Sequence, residues 1–257
     1  ITSSAASDVY KRQEIYSKIN GGVIKRSTTK KLRFNVNSIL EKITKKTKII
    51  FIAQPNNPTG FYLSKSELKY LISKVPKRIM IIIDSAYSEY VTDKQYSDGI
   101  SFAKQYKNII ATRTFSKIYG LASLRLGWCY ASSEIIDLMN RVRGPFNVNH
   151  FAQIAGVAAL KDKKYEKQSI SHNKLWLQKM NNELSKLPIH VYDGRANFLL
   201  IDAGKRARKL NQFLLSKSII VRQMDEYNLP QCIRLSIGTS LENKKILKAF
   251  KEFYNAK

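Results

Sequence analysis

Residues 113–128 read RTFSKIYGLASLRLGW, and this stretch is the most informative part of the chain for its fold and chemistry. Its lysine, Lys117, lies between small and apolar residues, where an ammonium group loses its proton more easily and becomes an amine nucleophile. Arg125 follows eight residues later, so a short turn or helix could bring it back towards the Ser116 hydroxyl. A hydroxyl and a guanidinium together suit a phosphate group. An imine-forming amine beside a phosphate clamp indicates a site for pyridoxal phosphate.

Two shorter motifs, NNPTG at residues 56–60 and DSAY at residues 84–87, each follow an apolar run typical of a buried strand. Open α/β sheets bind ligands beyond the carboxyl ends of their strands, so the Asn57 amide could donate to a ligand oxygen there. A carboxylate such as Asp84 at the end of a buried strand needs a positive partner, and a protonated pyridine nitrogen is suitable. Tyr87 is within reach of the same ligand. In isolation, a plain turn explains the first motif, and a helix cap or a loop ion pair explains Asp84.

Together the three motifs resemble the fold-type-I aminotransferases. RTFSKIYGLASLRLGW followed by RGPFNVN at residues 143–149 is most similar to the histidinol-phosphate aminotransferase family, and the resemblance runs from about Glu14 to the end of the chain. It implies an α/β fold in which helices cover a mostly parallel sheet, followed by a smaller α+β domain. The alternation of strand and helix patterns along the chain also predicts a mostly parallel sheet.

The resemblance implies roles for individual side chains. The implied cofactor-binding residues are Asn57, Asp84, Tyr87, Ser116, Lys117 and Arg125. Lys117 holds the cofactor covalently and moves the substrate proton, Asp84 keeps the ring nitrogen protonated, and Asn57 donates to the phenolic oxygen. Arg222 and Arg234 end short apolar strand patterns and are the implied substrate-binding residues, which meet the anionic end of the substrate. A surface salt bridge is the alternative for either arginine.

The amino terminus does not read like the rest of the chain. Residues 3–13, SSAASDVYKRQ, match one translated frame of a common transposase-type sequencing adapter. We therefore expect residues 1–13 to be an adapter-derived tail, residues 14–164 a partial large cofactor-binding domain, and residues 165–257 a small domain. The resembled family has further residues before this point, so we expect an amino-terminal truncation that removes part of the cofactor cradle.

The net charge of +26 raises nucleic acid or an acidic membrane as a partner. Lysine is spread along the whole chain without a nucleic-acid-binding motif, and no apolar run is long enough to cross a bilayer. We expect neither partner, although a basic nucleic-acid-binding protein remains an alternative. Cys129 and Cys232 form no disulfide framework and no metal-type spacing, which favours a reducing cytoplasm. The three histidines share no ligand spacing, so we expect no metal.

The predicted function is pyridoxal 5'-phosphate-dependent transamination, in which histidinol phosphate and 2-oxoglutarate give imidazole-acetol phosphate and L-glutamate in histidine biosynthesis. An aromatic-amino-acid aminotransferase and a threonine-phosphate decarboxylase are the alternatives within the same chemistry. An inactive fragment that lacks part of the cofactor site is a further alternative. The resemblance implies a homodimer when the protein is complete, and the truncation predicts exposed apolar surface.

Overall fold

The computed structural model describes residues 2–6 and 11–255, which divide into two compact units. The first unit comprises the described residues up to Asn57 together with Tyr62–Lys167. The second comprises Pro58–Phe61 and the described residues from Gln168 onward. This division lies close to the predicted domain boundary between residues 164 and 165. The sequence gives no indication that the short segment Pro58–Phe61 belongs with the second unit.

The first unit contains a six-stranded sheet. Its strands are β1 (Thr2–Ala6), β2 (Val23–Arg26), β3 (Thr47–Ala53), β4 (Met80–Asp84), β5 (Ile109–Thr114) and β6 (Gly127–Tyr130). They lie in the order β2-β1-β3-β4-β5-β6, and every neighbouring pair is parallel except β5 and β6. The predicted α/β class with a mostly parallel sheet is confirmed.

Strand β1 falls within the segment predicted to be an adapter-derived tail. Its backbone pairs with β2 on one side and with β3 on the other, so these five residues lie inside the sheet. Residues 1 and 7–10 of the predicted tail lie outside the described residues. Backbone pairing does not depend on where a sequence came from, and the adapter origin therefore stays a prediction.

Helices lie between and after the strands of the first unit along the chain. They are α1 (Lys11–Ile19), α2 (Val36–Glu41), α3 (Lys65–Lys74), α4 (Ile100–Gln105), α5 (Ser133–Val142) and α6 (His150–Lys161). The core forms where isoleucines on alternate positions of β3 and β4, such as Ile52 and Ile83, pack against Leu68 and Leu71 of α3. Ser64 and Glu67 form a capping box at the start of α3, since each side chain accepts a hydrogen bond from the other's backbone N–H.

The second unit is an antiparallel sheet with helices packed on it, as the predicted α+β domain requires. Its elements are α7 (Lys163–Leu184), which begins in the first unit, β7 (His190–Tyr192), β8 (Phe198–Asp202), α8 (Ala207–Ser216), β9 (Arg222–Gln223), β10 (Cys232–Ser236) and α9 (Ser240–Asn255). The strand order is β7-β8-β10-β9. Trp176 and Met180 of α7 are buried in its core, and their spacing of four residues places them on one face of the helix. The apolar strand pattern that ends at Arg222 forms a strand only at Arg222–Gln223, where the backbone pairs with β10.

Helices α5 and α6 leave apolar side chains in solvent. Leu138 and Val142 of α5 are exposed, as are Phe146 in the following loop and Phe151 and Ile154 of α6. None of the residues of α5 is buried, although its apolar side chains gather on one face. An apolar surface of this extent is typical of an interaction site. Within the part of the chain that the structure describes, no helix is both long enough and apolar enough to span a bilayer.

Candidate active site

Asp84 lies at the carboxyl edge of the sheet, where three parallel strands end together. The register pairs it with Ala53 of β3 on one side and with Thr112 of β5 on the other. The Thr112 hydroxyl donates a hydrogen bond to the Asp84 carboxylate over 3.3 Å, and the Gln54 N–H donates to the Asp84 carbonyl over 2.9 Å. Side chains that follow these strands are therefore brought to one place.

The environment of Asp84 opposes the ionisation of its carboxyl group. Desolvation raises its pKa, because burial penalises the charged form. The hydrogen bond from Thr112 and the positive charge of Lys117 lower the pKa, but the net shift is upward. The site thus contains a carboxyl group that a positively charged ligand atom would stabilise in its ionised form.

Lys117 follows β5 and approaches Tyr87. The Lys117 ammonium nitrogen lies 5.0 Å from the centroid of the Tyr87 ring, which is a cation–π distance. Tyr87 is only 3% exposed, whereas Lys117 is partly buried. Lys117 therefore lies close to Tyr87, and its charge also acts on Asp84.

The loop between β5 and β6 brings Ser116 and Arg125 to neighbouring backbone positions. The Phe115 N–H donates to the Leu126 carbonyl over 3.1 Å, which closes the loop at its base just outside the two residues. Arg125 has a left-handed backbone conformation with φ of 54°, and its side chain is exposed. One guanidinium N–H donates to the Ala122 carbonyl over 2.8 Å. The shared phosphate-binding role of Ser116 and Arg125 stays a prediction.

Asn57 follows the same sheet edge, three residues after Gln54. Its side chain is largely buried, with 7% of the residue exposed. Asn57 is also the last residue of the first unit before the chain enters the second unit at Pro58. Its position agrees with a role at the carboxyl ends of the strands, and the role itself stays a prediction.

Arg222 and Arg234 lie in the second unit as direct partners across β9 and β10. Residues opposite each other in an antiparallel pair project from the same face of the sheet. The Arg234 guanidinium lies 5.0 Å from the centroid of the Phe198 ring, and the Arg222 guanidinium lies 3.4 Å from the Glu226 carboxylate. Two positively charged residues at opposite positions on one face of a sheet suit an anionic ligand such as a carboxylate or a phosphate.

Sequence reasoning missed an ion-pair network on the opposite face of β5. The Arg113 guanidinium donates to the Glu89 carboxylate over 2.9 Å and to the Asp98 carboxylate, and it lies 5.8 Å from the Trp128 ring. The side chain of Arg113 is 11% exposed to solvent. The network holds β5, and with it the start of the Lys117 loop, against the segments after β4. Its three charged residues are far apart in sequence, and no motif joins them.

We expect the cofactor-free Asp84→Asn variant to be more stable than the wild-type protein at neutral and alkaline pH. The pKa of Asp84 is higher in the folded than in the unfolded state, so its contribution to stability is full below the unfolded pKa and is lost as the pH rises through the folded pKa. Asparagine does not titrate, and the difference should disappear below about pH 4. Thermal unfolding followed by circular dichroism between pH 3.5 and 8 measures it.

The exposed Asp137, which pairs with Arg141 on α5, provides the control. The variant Asp137→Asn should show no comparable gain in Tm at pH 8, because exposed ion pairs contribute little to stability. A Tm for Asp84→Asn equal to or below that of the wild type at pH 8 would contradict the expected cost of ionising Asp84.

Comparison with known proteins agrees with the motifs and the fold. The family described as aminotransferase class I and II matches residues 10–250. The chain is 42% identical to the histidinol-phosphate aminotransferase of Pelagibacter ubique (strain HTCC1062) over 94% of its own length and 68% of that protein. It is 43% identical to the histidinol-phosphate aminotransferase of Paramagnetospirillum magneticum over 88% of its length and 63% of that protein. The chain thus spans about two thirds of the length of these relatives.

A solved structure shows the same fold. The histidinol-phosphate aminotransferase from Clostridium acetobutylicum superposes with a TM-score of 0.92 at 26% identity, over 99% of this chain and 78% of that one. The resemblance to the fold-type-I aminotransferases is confirmed by these matches. On its motifs, its sheet and its relatives, the chain belongs to the class I and II aminotransferase family.

Proposed function

We propose that this chain carries the catalytic residues of a histidinol-phosphate aminotransferase, which transfers the amino group of histidinol phosphate to 2-oxoglutarate in histidine biosynthesis. The products are imidazole-acetol phosphate and L-glutamate. The observation that carries this proposal is the arrangement of the Lys117 amine beside the Tyr87 ring and the buried Asp84 carboxyl group. Five relatives with this activity in their names are 39–43% identical to the chain, which favours this substrate over the alternatives.

The residues at the sheet edge fit pyridoxal 5'-phosphate. A cationic ring nitrogen would satisfy the Asp84 carboxyl group, whose ionisation burial otherwise opposes. Asn57 and Tyr87 would donate to the phenolic oxygen, Ser116 and Arg125 would hold the phosphate, and Lys117 would bind covalently. When bound, the cofactor supplies an electron sink that stabilises negative charge at the substrate Cα.

The protein's own contribution is to orient the substrate and to move one proton. Lys117 accepts the proton from the substrate Cα through its amine and delivers it again later in the reaction. Asp84 remains ionised while it faces a positive charge, and Thr112 holds the carboxylate by its hydrogen bond. Arg222 and Arg234 bind the phosphate of the substrate on one face of the small sheet.

An assay of amino transfer to 2-oxoglutarate tests the substrate. We expect the wild-type protein to use histidinol phosphate with a higher kcat/KM than phenylalanine or histidinol. We expect Arg234→Ala to raise the KM for histidinol phosphate by about 10- to 100-fold, because a hydrogen bond to a charged group contributes roughly 1.5–3 kcal/mol. The KM for histidinol, which lacks the phosphate, should change much less.

Arg208→Ala is the matched control, because Arg208 is an exposed arginine of the same unit that pairs with Asp225. It should leave the KM for histidinol phosphate unchanged. A preference for phenylalanine would favour the aromatic-amino-acid aminotransferase. Release of carbon dioxide from threonine phosphate would favour the decarboxylase. Retention on DNA that is sensitive to salt but unchanged in Arg234→Ala would favour a nucleic-acid-binding role.

We also propose that the complete protein is a homodimer that works in the cytoplasm. The exposed apolar residues of α5 and α6, among them Leu138 and Phe151, support an interface. Both cysteines, Cys129 and Cys232, are free, which agrees with a reducing compartment.

A further inference from the structure

The segment Pro58–Phe61 is held in the second unit by a contact between two glycines. Gly60 has φ of +72°, and a Cβ built on it would lie 2.7 Å from the Gly194 Cα. A Cβ on Gly194 would lie 2.7 Å from the Thr59 carbonyl oxygen and 2.8 Å from the Gly60 Cα. Real Cβ atoms do not approach other atoms this closely, so the two backbones can touch only because both residues lack side chains.

Other contacts fix the same segment in the second unit. The Arg195 N–H donates a hydrogen bond to the Gly60 carbonyl over 2.8 Å. The Phe61 and Tyr192 rings pack edge to face with their centroids 6.3 Å apart. Thr59 and Phe61 are both buried, at 2% and 5% exposure. The segment therefore has a defined position relative to the loop between β7 and β8.

Asn57 precedes this segment directly, and the linking residue is a proline. The ring of Pro58 fixes its own φ near −65°, and it also restricts the backbone conformations of Asn57. A displacement of Pro58–Phe61 therefore acts directly on the backbone of Asn57, which is bonded to Pro58 and whose conformations the proline restricts.

We propose that Gly194 is a positioning residue for cofactor binding, which places the Asn57 amide by holding Pro58–Phe61 against the β7–β8 loop. The inference rests on the proposed function, which assigns the Asn57 amide to the phenolic oxygen of pyridoxal phosphate. Gly194 does not touch the cofactor in this scheme. Its effect passes through the backbone of residues 57–60.

The Gly194→Ala variant tests the proposal, because its Cβ must push the Thr59 carbonyl away. Hydrogen exchange without cofactor should become faster at the Arg195 amide and in the peptide that covers residues 54–62. The affinity for pyridoxal 5'-phosphate should fall by roughly 3- to 10-fold, which is what one misplaced hydrogen-bond donor costs. The pH midpoint of the visible absorption band should shift in the same direction as in Asn57→Ala.

A double-mutant cycle separates positioning from general destabilisation. If Gly194 acts through Asn57, then Gly194→Ala should have little further effect on cofactor affinity in the Asn57→Ala background. Ile201→Val removes one methyl group from the core of the same unit, and it should lower Tm without changing either affinity or the band midpoint. Gly204→Asn, at a positive φ with open space around it, should behave as wild type.

The outcomes distinguish this inference from the proposed function. The positioning role would be overturned if Gly194→Ala left the affinity for pyridoxal 5'-phosphate unchanged, or if its effect added to that of Asn57→Ala. The proposed function would survive either result, provided that the wild-type protein shows the absorption band. Unchanged hydrogen exchange in residues 54–62 would also overturn it. The absence of a band in the wild-type chain would reject the proposed function, and the role of Gly194 with it.

Discussion

The Lys117→Ala variant is expected to lose amino transfer by about 10⁴-fold and to show, with added pyridoxal 5'-phosphate, no visible absorption band beyond that of the free cofactor. Both losses have one cause, because the same amine is proposed to bind the cofactor covalently and to move the Cα proton. A positioned acid–base group contributes roughly 10²- to 10⁴-fold to a reaction rate, and a group with a second role lies at the upper end. An absorption titration beside a steady-state assay measures both effects.

Lys69→Ala is the matched control, since Lys69 is an exposed lysine on α3 of the same unit. It should retain the band and the rate of the wild-type protein. A band of full intensity in Lys117→Ala would show that another amine binds the cofactor. The absence of a band in wild type and variant alike would favour the inactive-fragment alternative.

The Arg113→Ala variant is expected to lose about 3–5 kcal/mol of unfolding free energy, the usual cost of removing one partner from a buried ion pair. The Arg113 guanidinium pairs with both the Glu89 and the Asp98 carboxylates, and its removal leaves the largely buried Glu89 and the partly buried Asp98 without this positive partner. The contact with the Trp128 ring is lost as well. The shift of the urea midpoint in far-UV circular dichroism measures the loss.

Arg141→Ala serves as the comparison, because Arg141 pairs with Asp137 in a fully solvated i, i+4 arrangement. Its cost should stay within about 0.5 kcal/mol. Arg113→Lys should give an intermediate loss, since an ammonium keeps the charge but cannot donate in a fork to two carboxylates. Equal costs for Arg113→Ala and Arg141→Ala would show that solvent screens the network.

The α/β architecture could be predicted because its strands are short, β-branched and separated by helix patterns. The apolar, β-branched run at residues 79–83 predicts a buried strand. The spacing of Ser64 and Glu67 is the sequence pattern of a capping box at the start of α3. The position of Asp84 at the end of such a run was also visible. Its hydrogen bond from Thr112 was not, because the register between parallel strands depends on packing over the whole sheet.

The remaining features depend on contacts between distant parts of the chain. In the sequence, nothing distinguishes Arg113 from the many other basic residues. Its role is visible only in the folded chain, where Glu89 and Asp98 lie beside it. Gly194 lies in the turn-like stretch Asp-Gly-Arg, where a glycine is expected for local reasons. Only the contact with Gly60 shows why a side chain is excluded there. Short helices such as α4 are also weakly marked, since six residues contain less than two turns of apolar periodicity.

Because Pro58–Phe61 belongs to the second unit, the order of synthesis affects how that unit folds. Ribosomes add about 5–20 residues per second, so roughly 7–30 s separate the synthesis of Gly60 from that of Gly194. The second unit cannot complete its packing until residues 192–195 meet a segment that was synthesised much earlier. For the same reason, residues 168–255 expressed alone would lack the Phe61 ring that packs on Tyr192. No single cut in the polypeptide can yield two complete units.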